Sequence, residues 1–265
     1  MDPTIERLDA LVLDLDGVLY RGDRTVPGSP EAVEALREAG KRLLFVTNNS
    51  TRTEADVVVK LSRHGIFVTP EEVLTSATVT ADLLLERGLG GVTTFVIGGD
   101  GIRAALTEAG SRLVTGDEGA AAEIVVVGGD RTFDYEAMRI AADAVRSGAL
   151  FIATNADPSF PTPTGLVPGA GAIVAAIEVA SGRRAEVMGK PHLPMMRAAA
   201  ARLEGARSIG IIGDQPRTDL DGGRAMGWTT ILVLSGVTGA DEAAALEPAP
   251  DLVRPDLQSL VAGPA

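Results

Sequence analysis

The chain has 265 residues, 24 Lys and Arg against 36 Asp and Glu, a formal net charge of −12, and no cysteine. That length supports one large or two small domains with a sizeable core, and so acidic a balance lacks the basic footprint that nucleic-acid phosphates require. The missing cysteine excludes disulfides, thiolate catalysis and cysteine-based zinc sites, and two histidines, His64 and His192, are too few for a three-histidine zinc site.

Short apolar runs alternate with helical patterns along the chain. Residues 8–13 form an apolar-rich run that ends at Asp14-Leu15-Asp16-Gly17. Residues 30–39 place Ala32, Ala35, Leu36 and Ala39 at helical spacing and stop at Gly40. Residues 42–46 read as a buried strand running into Thr47-Asn48-Asn49-Ser50, and residues 53–64 as an amphipathic helix closed by Gly65. Further strands are expected at 92–97, 123–127, 150–153, 208–212 and 229–234. The stretch 157–171, rich in Pro and Gly, reads as a long ordered loop or a junction. In 240–255 prolines are expected to stop a helix near a final strand and a short terminal helix. Alternating strands and helices predict an α/β protein with a mainly parallel sheet. No apolar stretch reaches the ~18 residues of a membrane span. The acidic, polar start of the chain carries no basic leader pattern, so a cytoplasmic location is expected.

Polar residues gather where three of these strands end, which is where parallel sheets bind ligands. Asp14 and Asp16 are two carboxylates followed by a turn-forming glycine. They suit Mg²⁺, a hard cation that takes oxygen ligands, and they also suit plain turn-capping duty. The run from Thr47 to Ser50 offers hydroxyl, amide and N–H donors to an anion, or a simple helix cap. Lys190, one of three lysines, lies in a Gly189-Lys190-Pro191 turn, where it can reach a phosphoryl group or stay on the surface. Asp214 and Asp219 follow the apolar run 209–213.

Taken in order, DxDG, Thr47, GKP and GDxxxxD resemble the four motifs of the haloacid dehalogenase-like (HAD) hydrolases. LDLDGVLY at 13–20, VTNNS at 46–50, TNAD at 154–157, PGAG at 168–171, GKP at 189–191 and LSGVT at 234–238 resemble its NagD-like, 4-nitrophenylphosphatase-like branch. The resemblance implies a doubly wound, Rossmann-like α/β core from residues 1–80 and 187–265, with an inserted α/β cap domain at 81–186. It implies a Mg²⁺-dependent phosphatase for a small phosphorylated metabolite, working through an aspartyl-phosphate. Asp14 would be the nucleophile and Asp16 the general acid/base. Thr47 and Lys190 would bind the phosphoryl group, and Gly17, Asn48 and Asn49 would assist. The metal would take Asp14, the Asp16 carbonyl and Asp214, with Asp219 behind them holding a metal-bound water or orienting Lys190. Phe160 matches a specificity position in the cap loop, as an apolar wall or as a plug under the loop. A homodimer through the cap is common in such families. Neither nucleic acid nor membrane is an expected partner. An idle phosphometabolite-binding protein and a phosphotransferase with a non-water acceptor are the alternatives.

One departure stands out: Gln215-Pro216-Arg217 replaces the Arg-Leu-acid run usual in this branch, so the shape of that loop and any substrate contact from it are open. Two short motifs are read as structural. Arg63-His64-Gly65 spells the histidine-phosphatase triplet but closes a helix, and Gly169-Ala170-Gly171 lacks the third glycine of a dinucleotide fingerprint. His192 is read as a turn-capping residue.

Overall fold

Runs of four or five apolar residues with no polar interruption fit strands covered on both faces, as in parallel sheets. In a computed structural model that describes residues 1–162 and 165–262, the run around Leu11 becomes the strand Ala10–Asp14. Leu11, Val12 and Leu13 have no exposed surface, and burying each such side chain contributes about 1.5–3 kcal/mol. The chain divides into two units: Met1–Thr47, Val57–Leu74 and Lys190–Ala265 form the first, Asn48–Asp56 and Thr75–Gly189 the second.

The first unit is built on a six-stranded sheet. Its strands run in the order Leu252–Arg254, Thr229–Val233, Ile209–Gly213, Ala10–Asp14, Arg42–Thr47 and Val73–Thr75. The central strand pairs in parallel on both sides, with Leu13 opposite Ile212 and Asp14 opposite Val46. Strand order reverses beside Ala10–Asp14, so the chain passes to one side early and to the other only after the whole second unit. Leu11, Leu13, Leu36, Phe45, Leu61, Ile212 and Ile231 belong to the core on this sheet.

The second unit carries its own parallel sheet of five strands, ordered Glu186–Val187, Leu150–Ala153, Ile124–Val127, Thr93–Ile97 and Arg112–Val114. Phe95, Val125, Val127, Ile140, Phe151 and Ile177 form its core with helices Tyr135–Arg146 and Ala170–Ser181. Asp134 caps the first of these through the Ala137 N–H at 2.8 Å. The architecture is thus the doubly wound α/β core with an inserted α/β cap domain.

The stretch 157–171 differs from the expected loop. Ser159–Thr162 and Gly165–Pro168 pair antiparallel, with Phe160 opposite Val167. A two-stranded ribbon has two free edges, so Pro161 and Pro168 sit in it without breaking a ladder on both sides. Pro163 and Thr164 lie outside the described residues. Gly169 and Gly171 have the packing role read for them, because a Cβ at either would overlap main-chain atoms of residues 156 and 157.

Candidate active site

Asp14 closes the central strand, Thr47 closes Arg42–Thr47, and Asp214 follows Ile209–Gly213, all at carboxyl ends of neighbouring strands in the first unit. Lys190 is the first residue after the chain returns to that unit. It is 3% exposed, and its ammonium donates to the Asp14 carboxylate and, at 2.7 Å, to Asp219 Oδ1. Burial alone pulls a lysine down, but these two carboxylates outweigh it and hold Lys190 above its ordinary value.

Asp219 has a second task. Its Oδ2 accepts the N–H groups of Asp214 at 3.1 Å and Gln215 at 3.0 Å, which ties down the turn after the strand. Gly213 leaves room for this, since a Cβ there would overlap the Asp219 carboxylate. The residues between, Pro216–Leu220, form one wide π-type turn. Pro216 opens it, where a missing N–H breaks nothing, and Arg217 lies within it.

Burial pushes the Asp14 carboxyl well above its ordinary value; Lys190 opposes this, while Asp219 and Asp214 add to it. Asp214 is pushed up to about 7, by burial first and by Asp219 next. Three buried carboxylates and one ammonium cannot all be ionised without an excess of negative charge that water does not screen, which is why Asp14 and Asp214 are pushed up. Among the described residues these three form the group able to hold a metal, with one oxygen from each within 4.8 Å of the others.

Within the group the oxygens differ. Both oxygens of Asp219 hold hydrogen bonds. In Asp214, Oδ2 accepts the Val237 N–H at 2.6 Å, whereas Oδ1 is buried with no hydrogen-bond partner among the described residues. Leaving a buried carboxylate oxygen unpaired costs about 1–3 kcal/mol or more, and a hard cation would satisfy it. Gly17, at φ +91°, and Gly236 make the cradle: a Cβ at either position would overlap the Asp214 carboxylate. The all-oxygen donor set of Asp14, Asp214 and Asp219 fits Mg²⁺.

The Asp16 side chain lies outside that carboxylate group, and burial pushes its carboxyl up while Lys60 opposes. The turn that carries it is bonded locally, Gly17 N–H to the Tyr20 carbonyl at 2.7 Å and Leu19 N–H to the Leu15 carbonyl at 2.9 Å. Tyr20 belongs to a small hairpin, Tyr20–Arg21 with Arg24–Thr25. That hairpin is fastened by the helix Glu54–Arg63 and the residue beyond it: Lys60 Nζ lies 3.8 Å over the Tyr20 ring and His64 stacks on the ring at 4.8 Å. His64 Nδ1 is 2.8 Å from Thr25 Oγ1. The triplet around His64 is therefore structural, a helix end that clamps a hairpin. His192 takes the N-cap position of the helix Leu193–Arg202, but no side-chain capping bond is formed there.

Three expected substrate residues belong to the second unit. Asn48 is buried, and its Nδ2 donates to Asp157 Oδ2 at 3.0 Å while its carbonyl accepts from Asn155 and Ser76. Asn49 Oδ1 accepts the N–H and hydroxyl of Thr51 at 2.9 and 2.6 Å. Phe160 is 40% exposed, which is not the burial of a plug under its own loop.

Sequence reasoning gave no task to Ser235, Gly236 or Val237, although they follow the strand Thr229–Val233 with only Leu234 between. The available signal was a Ser-Gly pair at the carboxyl end of a parallel strand, the same placement that marked Asp14 and Asp214. Lys60 and Tyr20 carried no comparable signal, because their contact is set by packing of a helix on a hairpin.

Two family models match the chain: a haloacid dehalogenase-like hydrolase model over residues 11–112 and a HAD-hydrolase-like model over residues 187–260. An acid sugar phosphatase of Staphylococcus aureus is 38% identical over 240 residues, 90% of this chain and 91% of the relative. The solved structure of a glycerol phosphate phosphatase of Mycobacterium tuberculosis, in complex with magnesium, superposes with TM-score 0.90 at 35% identity, covering 98% of this chain and 78% of that one. A p-nitrophenyl phosphatase of Archaeoglobus fulgidus gives TM-score 0.89 at 32% identity, over 96% and 98% of the two chains. No helix among the described residues is long and apolar enough to cross a membrane.

Proposed function

Because the chain belongs to the haloacid dehalogenase-like hydrolase family and is a phosphoric monoester hydrolase, we propose that Asp14 is its nucleophile and that its substrate is a small sugar or polyol phosphate. The observation that carries this assignment is the buried Lys190 ammonium bracketed by Asp14 and Asp219 beside an unpartnered Asp214 oxygen. A carboxylate so placed is held on a fixed line of attack.

In this reading an Asp14 oxygen attacks phosphorus and the ester P–O bond breaks, leaving an aspartyl-phosphate. The departing alkoxide takes a proton from Asp16, whose raised pKa suits a general acid. Asp16 then draws a proton from water as that oxygen attacks phosphorus, and inorganic phosphate leaves with Asp14 restored. Lys190 offsets charge on the phosphoryl oxygens, with Thr47 and the Gly17 turn as hydrogen-bonding support. Mg²⁺, when bound by Asp14, the Asp16 carbonyl and Asp214, supplies positive charge to the same oxygens and favours ionised carboxylates. Asp219 positions Lys190. Asn48 and Asn49 hold the chain that follows Thr47.

The sugar or polyol class is supported by the relatives named above, an acid sugar phosphatase and a glycerol phosphate phosphatase. A panel of phosphorylated metabolites assayed with Mg²⁺ tests it, with sugar phosphates and glycerol phosphate expected above nucleotides and pyridoxal phosphate. Asp14→Asn should lower hydrolysis of 4-nitrophenyl phosphate by a factor on the order of 10³ or more while the chain stays folded. Full turnover by that variant would sink the nucleophile. A wild-type chain that binds Mg²⁺ and phosphate but turns over no ester would favour a binding protein instead, and phosphoryl transfer to added alcohols would favour a phosphotransferase.

A further inference from the structure

The loop Ser235-Gly236-Val237 touches two separate parts of the centre, and nothing assigned so far explains why. The Ser235 hydroxyl, in a residue 8% exposed, donates to the Gly17 carbonyl at 2.7 Å. The N–H of Gly17 donates to Tyr20, so the peptide units around Gly17 are tied on both sides. Gly236 lies flat against Asp214, where any Cβ would overlap the carboxylate. The Val237 N–H donates to Asp214 Oδ2. One oxygen of Asp214 is thereby taken, and its other oxygen, Oδ1, is buried with no hydrogen-bond partner among the described residues.

We propose that Ser235, Gly236 and Val237 are positioning residues of the Mg²⁺ site: the loop turns Asp214 so that only Oδ1 is offered to the cation, and fixes the turn from which the Asp16 carbonyl is offered. The proposal rests on the Mg²⁺ reading of Asp14 and Asp214 given above. Its physical basis is general. A metal site selects by where its oxygens stand before the ion arrives, and groups bonded to a ligand set its direction and basicity. Val237 acts through its main chain, which explains how a side chain 66% exposed can belong to such a loop. Gly236 acts by having no side chain. Ser235 acts through its hydroxyl, so it is the position where substitution is most informative.

The test is the Mg²⁺ dissociation constant, measured by calorimetric titration of the purified full chain, with Mn²⁺ binding by electron paramagnetic resonance as a second readout. Ser235→Ala and Gly236→Ala are expected to weaken binding about 10- to 100-fold. Ser235→Thr, which keeps the hydroxyl, should recover most of the loss. Saturating Mg²⁺ should bring kcat of Ser235→Ala back toward that of the parent chain. Should Gly236→Ala not fold, Ser235→Ala and Ser235→Thr decide the matter. Parent-like Mg²⁺ affinity in Ser235→Ala, with only the melting temperature lowered, overturns the proposal and makes the loop a structural brace. Parent protein that binds no Mg²⁺ at all overturns instead the metal reading on which the proposal rests.

Discussion

Both units present a parallel sheet whose strands end in glycines and small polar residues, yet only one end is left to chemistry. In the first unit the strand ends carry Asp14, Thr47 and Asp214, and a buried ammonium answers the carboxylates. In the second unit the strands Thr93–Ile97 and Ile124–Val127 run into Gly98-Gly99 and Gly128-Gly129. There the unit's own segment fills the place where a ligand would sit. Gly99 abuts Thr51, Gly101 the Arg52 main chain, and Gly128 the Ser50 hydroxyl. The first turn of the helix Asp100–Glu108 donates its N–H groups to the carbonyls of Thr51 and Ser50, at 3.1 and 2.8 Å. A helix N-terminus that would favour an anion has been answered by chain. The lesson is that similar strand ends in the two units are completed differently, by charged side chains in the first and by a returning stretch of chain in the second.

The sharpest way to break this contrast is to remove the ammonium. Lys190→Met leaves Asp14 and Asp219 facing each other in the interior, and the loss of one partner of a buried pair costs about 3–5 kcal/mol. Thermal or denaturant unfolding should show that loss, together with near-complete loss of turnover, and Lys190→Arg should not restore it because the guanidinium is a planar fork and not a point charge. Parent-like stability in the methionine variant would mean that the first unit's strand ends are no more charged in effect than the second's.

Next in size is the response to pH. With Asp214 held near 7 when no metal is present, the folded chain keeps a proton that the unfolded chain releases at ordinary carboxylate pH. Stability from this group is full at acid pH and lost as pH rises through about 7. Mg²⁺ has to displace that proton, and any proton that burial holds on Asp14, so its affinity should rise with pH by at least about 10-fold per unit below about 7. Melting curves in EDTA and in Mg²⁺, from about pH 5 to about pH 8, would check both slopes. A flat pH response of Mg²⁺ affinity would separate Asp214 from the metal.

Smaller effects belong to the second unit. Gly101→Ala drives a methyl into the Arg52 carbonyl and should destabilise by about 1–3 kcal/mol, read as a lower melting temperature. Asn49→Ala removes the two bonds to Thr51 and should cost only about 0.5–1.5 kcal/mol, with Mg²⁺ affinity unchanged. A large fall in Mg²⁺ affinity from either variant would show that the filled crevice governs the open one.

Much of the α/β plan was legible in the alternating apolar runs, and Asp14 and Asp214 stood out because each follows such a run. Lys190 stood out as one of three lysines, set in a Gly-Pro turn, and each of these residues suited a plainer role until the ordered resemblance joined them. The Ser235 loop was not legible as a working part, since its contribution runs through a hydroxyl, a missing Cβ and a main-chain N–H, none of which leaves a charge pattern. The hairpin Ser159–Thr162 with Gly165–Pro168 was hidden because proline is a poor strand signal and a free-edged ribbon forgives it. Short edge strands such as Val73–Thr75 and Arg112–Val114 carry too few residues for period-two alternation to show. Segment Asn48–Asp56 gave no hint of joining the second unit, because its partners Gly101, Gly128 and Thr154 lie far along the chain.

The central strand Ala10–Asp14 pairs on one side with Arg42–Thr47 and on the other with Ile209–Gly213. During synthesis the first neighbour follows almost at once, whereas the second must wait for nearly two hundred residues, roughly 10–40 s at ~5–20 residues per second. Throughout that interval the nascent chain holds Asp14 without Lys190, Asp214 or Asp219, and one edge of its central apolar strand stands unpaired. An unpaired apolar edge of this kind is open to edge-to-edge association. The side chains gathered at the first unit's strand ends, Asp14, Lys190, Asp214 and Asp219, come together only as the carboxyl-terminal strands are released.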